Sequence, residues 1–375
     1  MKKFPLRAAA GDVCALAMLA LLFARPFACI EGIRAGLASC AEQVVPALFP
    51  FFVVSSIIAA SPLAKVLGAA VWAYTRFGLG IRDSRAATAL LLAWLGGFAV
   101  AARVIGQIYA GGALTRRQAQ LLLVCGVGSG PAFVVNTVGC LLLGSPRLGW
   151  CIFAALLLAN LEAGLLVRAA LASEPETLAK SASCPEDAAQ GISLVSAVQG
   201  AVQSMLAVCG FVTFFSFLSH ALGSFLPASG PVRAALAALL EVTGGCIQAS
   251  HLEGAAAVYG CCAALSIQSL SVFLQVRALL DRDISLLPLA AARPVHLVLS
   301  LGALRLLLGL VPGAAAAAAA AAAGERLIVQ SRTAPDAALV LFALCCAALY
   351  GLGFTSGSQK SIMNENHKRR RRRVS

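Results

Sequence analysis

Apolar stretches of about 20 residues with few or no charges recur along this chain. A helix needs that length to cross about 30 Å of hydrocarbon, and a chain rich in such stretches has few other ways to fold. The segments fall at about 10–30, 44–61, 86–110, 119–143, 148–170, 195–222, 232–250, 255–276, 286–311 and 336–354. The glycine-rich third and the short seventh are the weakest, because each is interrupted or short enough to enter and leave on one side. Composition points the same way: 60% hydrophobic against 12% charged over 375 residues leaves too little polar surface to coat one water-soluble core. The expected fold is all-α, a polytopic transmembrane helix bundle of about ten spans.

The net charge of +13 raises nucleic acid as a partner, but its placement argues against that. Lys2, Lys3 and Arg7 open the chain, and Lys368 with Arg369 to Arg373 closes it, so the basic residues concentrate beside membrane spans. Such ends stay in the cytoplasm and meet membrane lipids. With both termini inside and ten crossings, Lys65, Arg76, Arg82, Arg85, Arg147, Arg233, Arg277 and Arg282 fall inside, and Glu174, Glu176, Glu186 and Asp187 fall outside. Arg116 and Arg117 then land on the wrong side, the main stress on this arrangement. The first 28 residues also resemble a secretory signal, but Arg25 and Pro26 interrupt the cleavage region, so a retained first helix is expected.

No chemistry is signalled by motif. The 13 cysteines are scattered through apolar segments without a C-x-x-C pair, and they read as small buried hydrophobes rather than metal ligands. H-E-x-x-H, G-x-S-x-G and G-x-x-x-x-G-K-[ST] are all missing from the sequence. Gly126, Gly128 and Gly130 surround Ser129, but without a lysine they do not make a nucleotide-phosphate loop. Neither an enzyme nor a cofactor is expected.

Organisation is more informative. An N-terminal helix and connector (1–38) precede a first membrane half (39–172), a polar external loop (173–192) and a second half (193–312). A polyalanine segment with the last span (313–356) and a basic cytoplasmic tail (357–375) follow. The polyalanine run is expected to extend or cap the ninth span. Phe51 to the turn at 111–117, and Phe214 to the turn at 280–283, enclose similar lengths. That spacing reads as two repeat-like halves with broken helices, the build of transporters whose site lies between halves.

Function is sought at polar residues inside spans, because a charge at the bilayer centre costs about 2.5–3.5 kcal/mol on insertion scales. Gly96 and Gly97 precede Arg103 in the third span. Gly128-Ser129-Gly130-Pro131 interrupts the fourth, and Asn160 and Glu162 lie in the fifth. Glu241 and Thr243 stand beside Gly244 and Gly245 in the seventh. Ser266 and Gln268 occupy the eighth, and Arg293 with His296 shares one face of the ninth. Each has a plain structural reading: close helix packing at the glycines, interhelical hydrogen bonds at Ser266 and Gln268, an ion pair of Arg293 or His296 with Glu241, or a surface position for Glu241. The functional reading makes Ser129, Gly130, Pro131, Glu241, Thr243, Ser266, Gln268, Arg293, His296, Asn160 and Arg103 solute-binding; the segments Ser129 to Pro131, Glu241 to Gly245 and Ser266 to Gln268 are expected to converge near mid-membrane, with Arg293 and His296 close enough to balance Glu241.

At these residues a resemblance enters. Val45-Pro46-Ala47-Leu48-Phe49-Pro50-Phe51-Phe52-Val53-Val54-Ser55 resembles the start of the YlbJ-type sporulation integral membrane proteins, which contain the nucleoside-recognition or Gate domain. Leu114-Thr115, Pro131, Pro146-Arg147-Leu148-Gly149, Asn160, Leu240 to Gly245, Leu265 to Gln268 and Ala292 to His296 follow in that family's order, so the resemblance covers about 40–310. The chain departs from it where the family has Gly-Tyr-Pro-x-Gly and this sequence has Gly97-Phe98-Ala99-Val100-Ala101, and where Ser-Asn-Pro is Ser129-Gly130-Pro131. The resemblance implies a bacterial cell-membrane protein of endospore and spore-cortex formation that moves or senses a small solute, since Gate-domain relatives include nucleoside carriers and the pore region of iron importers. The competing expectation is a non-transporting scaffold that recruits partners through its basic tail. Expected partners are membrane lipids and a small-molecule solute, with a homo-oligomer left open.

Overall fold

The computed structural model describes residues 6–59, 61, 63–171, 194–225 and 230–321. The loop at 173–191, the span expected at 336–354 and the basic tail lie outside the described residues. Among those described, the regular elements are all helical.

α1 (Leu6–Ala24) meets α2 (Pro26–Ser39) at Arg25, where the axis turns by 106°. Pro26 has no amide hydrogen to give, which suits it to a first helical turn. A π-helical turn, Cys40–Val44, carries α2 into α3 (Val45–Ala59). α4 (Leu63–Ala73) runs into a second π-helical turn, Tyr74–Gly78, and lies against α5 (Ser84–Gly96). α6 (Phe98–Ala110) and α7 (Arg116–Gly126) follow, then a π-helix, Ala132–Leu142, and α8 (Pro146–Ala170). Asp83, Thr115 and Ser145 cap α5, α7 and α8 by accepting amide hydrogen bonds from the first turn.

The second part runs α9 (Leu194–Gly223), α10 (Gly230–Leu240), α11 (Val242–Ser250), α12 (Ala255–Ile267), α13 (Leu270–Leu279) and α14 (Leu287–Leu310). Of the two expectations for the polyalanine run, to extend or to cap the ninth span, the first is not met by its described residues. They form a separate helix, α15 (Ala314–Ala320), because Gly313 takes φ +74° and breaks the chain direction after Pro312.

Among the described residues, four helical stretches are long and apolar enough to cross a membrane: 146–170, 194–223, 255–279 and 287–310. A fifth is reached if the bent pair α1–α2 is one span. That is compatible with a membrane protein but short of ten crossings. Two of the expected spans, 86–110 and 232–250, are helical hairpins. α5 packs against α6, and α10 against α11. A Cβ on Gly245 would lie 2.5 Å from the Ala238 Cα, although the two residues are seven apart and would be about 10 Å apart along a straight helix. The arms have 13, 13, 11 and 9 residues, about 14 to 20 Å each, too short to cross hydrocarbon alone.

Side-chain contacts show which helix ends lie together. At one end, here end A, Arg168 donates to the Phe77 carbonyl at 2.7 Å, Gln120 to the Ser285 carbonyl at 3.5 Å, and Gly106 meets Leu279. At the other, end B, Arg147 donates to the Pro312 carbonyl at 2.9 Å, and the Arg25 guanidinium stands 4.6 Å from the Phe225 ring centre. Ten alternating crossings would have put the members of the first two end-A pairs, and of the Arg147 pair, at opposite ends. The hairpins resolve this, since α5–α6 leaves and returns at end A and α10–α11 at end B.

α2 crosses α9 through a Gly-x-x-x-Gly pair. A Cβ on Gly32 would lie 2.7 Å from the Phe217 Cα, and one on Gly36 2.6 Å from the Thr213 Cα, so backbone touches backbone. Gly210, on the same helix α9, has nothing within 4 Å of its would-be Cβ. Gly36→Ala should therefore destabilise the bundle by about 1–3 kcal/mol through overpacking. Gly210→Ala should leave stability unchanged or raise it by up to about 1 kcal/mol, which thermal unfolding of the two variants in detergent will check.

Candidate functional site

The helix breaks expected from sequence come together. At the tip of the first hairpin Gly97 takes φ +82°, open to glycine at no steric cost. It presses on the break between α7 and the π-helix: a Cβ on Gly97 would lie 3.0 Å from the Gly130 amide nitrogen, and one on Gly130 2.7 Å from the Leu95 carbonyl oxygen. Pro131 opens the helix that follows, where a missing donor is harmless. The carbonyl groups left open by the break lie upstream, at the end of α7.

Three carbonyls there are answered by side chains from other elements. Trp94 Nε1 donates to the Cys125 oxygen at 2.9 Å, Arg293 Nη2 to the Val124 oxygen at 3.2 Å, and Gln268 Nε2 to the Val127 oxygen. Gln268 reaches it from the break between α12 and α13, where it takes φ +55°. That backbone costs a non-glycine residue of order 1–3 kcal/mol and marks a place held by its surroundings. Ser269 caps α13, and Ser266 Oγ lies 2.6 Å from His296 Nδ1, tying α12 to α14.

Glu241 is buried at the tip of the second hairpin, not at a surface. Its expected partners were Arg293 and His296. Instead it caps α11, with Oε2 accepting from the Gly244 amide at 2.7 Å, and the donors of Val242 and Thr243 also turn toward it. The open amides of a helix start satisfy a carboxylate without a cation. Arg293, also buried, gives its guanidinium to the Val124 and Leu289 carbonyls. The expected ion pair is replaced by two separate solutions to burying charge.

Two small cavities meet at Ser129. The first, of about 10 Å³, is lined by Trp94, Gly128, Ser129, Asn160, Gln268 and His296, and holds roughly one water. The second, of about 60 Å³, is lined by Gly97, Ser129, Gly130, Glu241, Thr243 and Gln275, with an apolar wall from Val44, Leu48, Phe133, Val208 and Val212. Asn160 Oδ1, Gln268 Oε1, Gln275 Oε1 and His296 Nε2 are buried without a hydrogen-bond partner. Buried polar groups are nearly always paired, so such a cluster calls for water or a ligand.

Of the expected residues, Ser129, Gly130, Asn160, Glu241, Thr243, Gln268 and His296 line these cavities. Pro131 adjoins them, Ser266 acts through His296, and Arg293 braces the α7 terminus. Arg103 does not join them: it faces a separate vestibule at end A, and Glu162 is exposed. Trp94 and Gln275 were missed, although an amide in the apolar run of α13 is a readable signal. No protein-family model, curated protein or solved structure matches this chain.

Gln268→Ala should destabilise the protein by about 1–3 kcal/mol, because it leaves the Val127 carbonyl buried and unpaired while keeping the strained backbone. Gln268→Gly loses the same bond but takes φ +55° freely, so its unfolding midpoint should lie above that of the alanine variant.

Proposed function

We propose that this chain is a polytopic membrane protein that binds and moves a small polar solute at the junction of its four helix breaks. The observation that carries the reading is the meeting, around two cavities with unpaired polar atoms, of two hairpin tips from opposite ends and two interrupted helices. Irregular backbone at membrane depth is tolerated where protein or a cavity surrounds it. Apolar side chains exposed on the outer surface, among them Leu16, Phe23, Phe27, Val298, Leu306 and Leu310, suit lipid contact.

Of the nine expected segments among the described residues, seven are then read as crossings and two as returning hairpins. The order hairpin, broken helix, long helix occurs once as α5 to α8 and again as α10 to α14, starting from opposite ends, which supports an inverted repeat. Its register pairs the turn after α6 with the turn after α11, not with 280–283. Arg76, Arg82, Arg85, Arg116, Arg117, Arg277 and Arg282 lie in connections or helix starts and ends at end A, whereas Arg25, Arg147 and Arg233 lie toward end B. End A is therefore read as cytoplasmic, which relieves the misfit of Arg116 and Arg117.

This reading puts Leu171 and Leu194, the described residues on either side of the acidic loop, at end A. In a Cys140→Ser chain, a membrane-impermeant thiol reagent should label Cys184 only after permeabilisation. Labelling in intact cells would overturn the assigned side.

The unpaired amide oxygens favour a solute that donates hydrogen bonds, which a nucleoside-like compound, as the resemblance implies, would do. A role in spore-cortex formation rests on the same resemblance. Binding and uptake of nucleosides and other small polar solutes by the purified chain in vesicles test the reading. Asn160→Ala should weaken binding roughly three- to tenfold, while Glu241→Gln, which keeps an acceptor for the α11 amides, controls for the hairpin cap. A chain that binds none of them, or an Asn160→Ala variant with unchanged affinity, would favour the scaffold reading.

A further inference from the structure

Among the described residues, no acid pairs with the guanidinium of Arg103. Its Nη1 is buried without a hydrogen-bond partner. Its position is nevertheless held from two sides. The guanidinium carbon stands 5.8 Å from the Phe52 ring centre on α3, and α9 leaves room for it at Gly200, where a Cβ would lie 2.5 Å from Nη2. A cavity of about 500 Å³ opens beside it between α6, α9 and α13, with Gln107, Gln203, Ser204 and Asp281 on its wall. Asp281 is exposed, in the connection after α13. Arg103 lies seven residues before the end of α6, about 10 Å inward along the helix axis. The cation is thus at depth and the anion toward the mouth, too far apart to pair.

We propose that this vestibule is an anion site, in which Arg103 receives a phosphate or carboxylate group entering from end A. A planar guanidinium with an unused nitrogen matches either group, and Gln107, Gln203 and Ser204 supply neutral polar surface around it. Asp281 repels the incoming anion and sets the affinity from the mouth. The site shares no residue with the cavities at Ser129, so it stands or falls apart from the solute reading.

The anion comes either free in solution or as the phosphate of a lipid headgroup, and two arms separate the sources. The full chain in phosphatidylcholine nanodiscs is titrated with inorganic phosphate at constant ionic strength, following its thermal unfolding. A parallel series replaces phosphatidylcholine with phosphatidylglycerol. A rise in midpoint with phosphate assigns a free anion, and a rise with phosphatidylglycerol alone assigns the headgroup. Arg103→Gln should weaken the response at least tenfold, and Asp281→Asn should tighten it by roughly twofold through removal of one repelling charge. Asn160→Ala should leave it unchanged. No response to either anion, or an Arg103→Gln chain that responds like the wild type, overturns the site. If Arg103→Gln does not fold, Asp281→Asn decides, and an unaltered affinity counts against the proposal.

Discussion

A helix that stops inside an apolar bundle leaves carbonyl groups without donors, and no bulk water is at hand to replace them. α7 stops in this way, and the oxygens of Val124, Cys125 and Val127 take their hydrogen bonds from Arg293, Trp94 and Gln268. Each donor comes from a different element: α14, α5, and the junction of α12 with α13. One break therefore pins the first hairpin, the second interrupted helix and the last long helix of the described chain to a single place. Gln268 gives its amide nitrogen to Val127 and is left with an amide oxygen facing the first cavity.

Glycine sets the distances at which those bonds are made. Gly97 and Gly130 let a hairpin tip rest on an interrupted helix with backbone against backbone, and any side chain at Gly130 would strike the Leu95 carbonyl. Gly245 does the same within the second hairpin, allowing its arms to close so near the tip that Glu241 can cap the arm that follows. Hydrogen bonds fix where the breaks lie; close approach fixes how tightly they converge.

The helical class was legible because length and apolarity alone limit what such segments can form. The breaks were legible as well: Gly97, Gly128 to Pro131, Glu241 and Gln268 are glycine or polar interruptions in apolar runs, which carry a cost unless something surrounds them. What a break does to chain direction was not. The run 86–110 has the same composition whether it crosses or folds back, and only the contact of Gly97 with Gly130 and of α5 with α6 decides it. The misplaced Arg116 and Arg117 were the trace of that ambiguity in the sequence. Pairing was hidden for a related reason. Glu241 invites a cationic partner on paper, but a helix start supplies backbone amides, and no residue type announces them.

The two cavities differ in a way that bears on movement. Beside the first hairpin, Gly97 is packed against Gly130, and the cavity behind Trp94 holds roughly one water. Between the two hairpin tips the void is about 60 Å³, lined by Gly97 and Gly130 as well as Glu241 and Thr243, and its wall is largely apolar, so its lining forgoes dispersion contacts that a filled space would provide. On the proposed reading, Ser129 is reached from end A when α5–α6 withdraws and from end B when α10–α11 withdraws. On that reading the first motion parts the seat of Gly97 on Gly130, and either motion opens the void that the two tips share. The cap of the second hairpin then travels with it, because the Glu241 carboxylate and the Gly244 amide belong to the same tip.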